Sequence, residues 1–279
     1  MKFLTSSRFD ASIYSRYRHL YPELLHGLRG RLWRLPRYEV ALTITLKIMA
    51  DGSRRHLLPG FDAALEGLTA NILLMGALVR RNLSNAKTGF LLREDDHCAA
   101  VIADDEEVDL LEKTVDKEGT SILLRFQPMT FDLRRVLATI KLGTHLERIS
   151  DQTVVIARRV RKLLEEPTLM EASQLQAVFD ALEKSLAEAL DAFANFDSAR
   201  SAKVRSEMEP LAERARALDD EFTSLVEEQM LRSRSIINLI AISQSVERIA
   251  YAIENVAEEA IYVAEAVDVR HAGNRFEIE

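Results

Sequence analysis

Four acids stand at steps of four, three and four residues in the stretch DDEEVDLLEKTVD: Asp105, Asp109, Glu112 and Asp116. A helix turns about 100° per residue, so the row runs along one face, and Val101, Val108, Leu111, Val115 and Ile122 form the apolar face. A second pair, Glu147 and Asp151 in HLERISDQ, lies about 40° apart on its own helix, one turn from each other. Carboxylates so related can donate oxygen to one hard cation or to neighbouring cations in a small cluster. The same spacing also describes a solvated acidic face with Lys113 and Lys117 as partners. Like charges at this spacing cost about 0.2–0.5 kcal/mol per pair, so the row sums to about 1 kcal/mol and does not by itself require a metal. Spacing leaves both readings open.

Other constellations carry less chemistry. Glu94 and His97 make a single Glu-x-x-His, a unit that di-iron helical proteins use in pairs, and no second copy occurs. His97 beside Cys98 lacks the further Cys or His of a zinc site, which leaves a surface histidine and a buried thiol. No phosphate-binding Gly-rich loop and no Gly-x-Ser-x-Gly elbow is present. Arg134 and Arg135 in DLRR could grip an anion, with a helix-surface ion-pair role as the plainer reading.

The elements that must position these acids are helices. The 279-residue chain has only 10 Gly and 6 Pro, and its core must come from Leu, Ile, Val and Ala because aromatics are 6%. Six helical segments are predicted, at about 59–83, 89–124, 128–164, 172–196, 198–229 and 234–268. Pro128 is placed in the first turn of the third, and Pro210 marks a kink or break in the fifth. The third and sixth segments share a register. Leu142, Leu146, Ile149, Thr153, Ile156, Val160 and Leu163 are answered one hundred residues later by Ile242, Val246, Ile249, Ile253, Val256, Ala260 and Val263. Glu-Arg-Ile recurs in the same phase, at Glu147 and Glu247, but Asp151 is answered by Tyr251. The expected fold class is therefore all-α, two tandem and pseudo-symmetric three-helix bundles over 57–166 and 167–270, with a tail over 271–279.

Residues 1–56 do not fit that scheme. The first 55 carry eleven Lys/Arg against four Asp/Glu, while the rest carry 26 against 40. EVALTITLKI alternates like a strand without a partner, so the segment reads as a basic extension, disordered or loosely packed, with Met49 a candidate start. No apolar run approaches the roughly 18 residues of a membrane span, the opening residues lack a secretory signal, and the lone Cys98 suits a reducing compartment. The acidic body argues against nucleic-acid binding. A cytoplasmic protein is expected.

The strings VIADDEEVDLLEKTVDKEG, QPMTFDLRRVLATIKLGTHLERISDQTVVIA and VERIAYAIENVAEEAIY resemble the PhoU family of phosphate-signalling proteins over about residues 57–268. That resemblance implies a regulator that restrains phosphate uptake and the phosphate-starvation response. The implied partners are the phosphate ABC transporter ATPase and the phosphate sensor histidine kinase, with a homodimer expected and membrane contact only through partners. It also implies metal ions of the iron or zinc class held by Glu/Asp-x-x-x-Asp motifs, which Asp105 with Asp109 and Glu147 with Asp151 match. Val155 and Arg158 depart from the family pattern beside the second motif. In the second bundle Tyr251, Ala252 and Thr223 depart further, with Glu254 and Glu258 as candidate substitutes, so metal is expected in the first bundle only. A carboxylate-bridged metalloenzyme and a metal-free helical scaffold are the alternatives to a non-enzymatic adaptor.

Overall fold

The protein is described by a computed structural model over residues 60–167, 169–228 and 232–269. The extension 1–56, its strand-like stretch, Met49 and the tail 271–279 lie outside the described residues. Chain contacts separate Met1–Gly52 from Ser53–Glu279, and everything described belongs to the second unit. Among those residues six long helices follow one another: α1 Phe61–Leu92, α2 Asp95–Phe126, α3 Thr130–Leu164, α4 Leu175–Asn195, α5 Ser198–Glu228 and α6 Ser233–Glu265. A 3₁₀ turn at Met170–Gln174 precedes α4.

Three boundaries differ from the sequence expectation. α1 runs on through Gly89 to Leu92, because Gly89 is buried where α1 meets Cys98; a Cβ there would stand 2.7 Å from the Cys98 sulfur. Pro128 lies in the α2–α3 connection, and α3 begins two residues later. α5 passes through Pro210 without ending, its packing on α4 and α6 outweighing one missing backbone donor. With glycine scarce, four helices end on a non-glycine residue in the left-handed region, Arg93, Gln127, Phe196 and Ala266. Each donates its backbone N–H back to the last turn.

α1, α2 and α3 pack mutually, as do α4, α5 and α6, and the bundles join through α3 on α6 and α1 on α4. All fourteen seam residues of the repeated register are buried. The α3–α6 contact is antiparallel about Ser150 and Ala250: Lys141 meets Glu259, Gln152 meets Arg248 and Glu166 meets Arg234. Stepping back from 150 on α3 thus meets an equal step forward from 250 on α6, the relation a pseudo-twofold between two copies of one helix produces. α1 and α6 are long and apolar enough to cross a membrane by length and composition, contrary to the reading of the sequence, but more than half of each apolar window is buried inside the fold. They are the core helices of the two bundles.

Candidate metal centre

α2 opens with Asp95 and Asp96 in its first turn, where acids favour the positive end of the helix dipole. It runs antiparallel to α3, pinned at one end by Arg161, whose Nε donates to Asp95 at 2.6 Å, and farther along by Thr144, which donates to Glu112 at 3.4 Å. Glycines bring the helices close. A Cβ at Gly119 would stand 2.5 Å from Ile140, and one at Gly143 would touch Val115 and Glu112. The apolar row of α2 chosen from spacing is buried in the fold, and Asp109 and Glu112 of its acidic row act on Glu147 of α3.

The four expected ligands are linked there through one another's charges. Burial raises the Asp105 carboxyl above its ordinary range, and Asp109 and Asp151 raise it further, while Arg158 and the Ser150 hydroxyl pull it down. Glu147 is pushed up to about 7, first by burial, then by Asp151, Glu112 and Asp109. Glu112, part of the sequence row but outside the expected ligand set, therefore joins the cluster, whereas Asp116 is exposed. Among the described residues no three His, Cys, Asp or Glu side chains stand close enough to hold a metal ion. The donor set, three half-buried carboxyls and the exposed Asp151 in excess negative charge, fits a divalent cation in chemistry, though the side chains are not arranged around an ion.

The second bundle is built differently. On α5, Arg216 donates through Nε and an Nη to Glu247 at 3.1 and 3.0 Å, and to the Tyr251 hydroxyl at 2.6 Å. Arg205, also on α5, donates to Glu258 at 2.9 Å and lies 3.7 Å from Glu254. Glu254 and Glu258, the candidate substitute ligands, are thus both held by a guanidinium. Sequence reading missed both arginines. Their signal was Arg205 and Arg216 on the segment that should have carried acids.

The remaining candidates are structural. His97 pairs with Glu94 at 3.3 Å on the α2 start. Cys98 is fully buried and burial pushes its thiol up to about 11, which leaves it a poor nucleophile. Arg135 donates to Thr69 at 2.8 Å and stacks 5.5 Å over Phe196, so it ties α3 to α1 and to the end of α4 instead of offering an anion site.

Comparison with known proteins agrees with this architecture. The PhoU domain matches twice, over residues 72–160 and 175–260. A Pseudomonas aeruginosa protein named phosphate-specific transport system accessory protein PhoU homolog is 32% identical over 81% of this chain and 94% of its own length. An Escherichia coli phosphate-specific transport system accessory protein PhoU is 26% identical over 78% of this chain and 91% of its own. The crystal structure of PhoU from Pseudomonas aeruginosa superposes with a TM-score of 0.72 at 28% identity, covering 74% of this chain and all of that one. A Streptococcus pneumoniae regulator, at 23% identity and a TM-score of 0.68, shares the fold. Two bundles in tandem, each matched by the same domain and joined about a pseudo-twofold, make this chain a member of the PhoU family.

Proposed function

We propose that the protein regulates phosphate uptake as an accessory protein of a phosphate-specific transport system, acting as a non-enzymatic helical adaptor. The observation that carries this reading is the extent of the match: the Pseudomonas aeruginosa relative that bears that description is covered over 94% of its length. On this reading the chain works in the cytoplasm as a homodimer. It docks on the phosphate ABC transporter ATPase and the phosphate sensor histidine kinase, restrains the starvation response, and touches the membrane only through them. Asp105, Asp109, Glu147 and Asp151 would hold a divalent cation of the iron or zinc class between α2 and α3. The mutual repulsion of these carboxyls, three of them half-buried, supports the assignment. Bound there, the cation would supply the positive charge that the groove lacks and tie α2 to α3.

Deletion of the gene should derepress a phosphate-starvation reporter in phosphate-rich medium, and the full chain should capture the ATPase or the kinase from its own cells. Unchanged reporter output together with no capture at low or high phosphate overturns the proposal. Elemental analysis of purified protein should find metal that Asp151→Ala loses. An unchanged content would remove the metal assignment and leave the adaptor role standing.

A further inference from the structure

The buried rows of α2 and α5 superimpose in sequence: Met208, Ala215, Leu218 and Phe222 each stand 107 residues beyond Val101, Val108, Leu111 and Val115. In that register, and with α6 one hundred residues beyond α3, the position of Asp109 is taken by Arg216 and that of Asp151 by Tyr251. The contacts obey the same mapping. Asp109 acts on Glu147 in the first bundle, and Arg216 grips Glu247 in the second. Where the first bundle turns an acid toward its conserved-phase glutamate, the second turns a guanidinium toward it. Glu254 and Glu258 complete the pattern, since Arg205 holds both and also reaches the backbone carbonyl of Val269 just beyond α6.

We infer that Arg216 is a built-in cation standing in the second bundle where the first offers its carboxylates to a metal, so that this bundle takes no metal and is locked α5 to α6 without one. The chemistry of the donors supports it. A guanidinium that donates twice to Glu247 Oε1 and once to the Tyr251 hydroxyl engages the oxygens a metal would need, and its fixed charge repels a second cation. Of two bundles related by a pseudo-twofold, only one is left able to answer to metal supply. The inference deepens the metal assignment of the preceding section, but concerns residues of the other bundle.

Zinc bound by the full chain at equilibrium, measured after dialysis by elemental analysis, tests it. Arg216→Asp combined with Tyr251→Asp should gain about one zinc per chain over the unsubstituted protein, because the two new acids join Glu247 and Glu209, whose charge acts on both substituted positions, to put four oxygen donors in the α5–α6 groove. Glu247→Gln should leave the zinc content of the unsubstituted protein unchanged. Loss of zinc in Glu247→Gln overturns the inference, as does a double variant with full helical circular dichroism and no gain. Should the double variant not fold, the Glu247→Gln result decides alone. A chain that binds no zinc until the double substitution is made would remove the first-bundle assignment and uphold this one.

Discussion

Glu147 is the residue whose charge the fold opposes most plainly. Its carboxyl is pushed up to about 7, first by burial and then by Asp151, Glu112 and Asp109. The folded state therefore holds a proton that the unfolded chain releases above about pH 4.5. Below that pH the two states are alike; between about 4.5 and 7 the penalty on folding grows, and above 7 it is complete. Glu147→Gln, which keeps the shape and cannot ionise, should leave the melting temperature unchanged near pH 4 in the presence of a chelator. At pH 8 it should raise it by about 2–4 °C, the equivalent of about 1 kcal/mol once solvent screening of a half-exposed group is allowed for. An equal effect at both pH values would show that the carboxyl feels no neighbouring charge. The acids that produce this repulsion were legible from spacing alone. The opposing guanidiniums of α5 were not, because a helix wheel shows which face a residue is on and not which residue stands across the groove.

At the scale of the helix, the ends are held by tertiary contacts. None of α1, α2, α3, α4 and α6 has a side-chain hydrogen bond at its N-terminal cap. Arg93 closes two C-termini at once: its own N–H returns to Gly89, and its guanidinium donates to the carbonyls of Leu163, Leu164 and Glu166 at the end of α3. Arg93→Ala should destabilise the fold by about 1–3 kcal/mol, because those carbonyls lose a charged donor. Amide exchange in the last turn of α3 should accelerate while that in its middle does not. The existence and type of all six helices were readable from periodicity. Not all their ends were: Gly89 looked like a start, yet α1 runs through it to Leu92, and the kink or break expected at Pro210 is no break, since α5 packs on both sides and runs on.

Across the whole molecule, the two bundles are joined by charged and polar contacts laid on an apolar seam. Glu259 is 2% exposed and meets Lys141 at 3.4 Å, while the same ammonium lies 5.2 Å over the Tyr262 ring. Lys87 of α1 bridges Asp180 at 3.0 Å and Glu183 on α4. Lys141→Met should cost stability, and Glu259→Gln added to it should cost less than the two changes measured separately, with a coupling of about 1 kcal/mol in a double-mutant cycle. Additive effects would place the ion pair outside the energetics of the joint. What the sequence determined by itself was everything that follows from periodicity: helices, seams, the repeat at one hundred residues and the row of acids, since each is a property of one helix turning at a fixed rate. What only the tertiary structure decided was opposition. It determined that the second bundle meets its glutamates with arginine, and that the joint runs antiparallel about Ser150 and Ala250. Both depend on which helix faces which, a choice made by packing between elements and therefore absent from the pattern within any one of them.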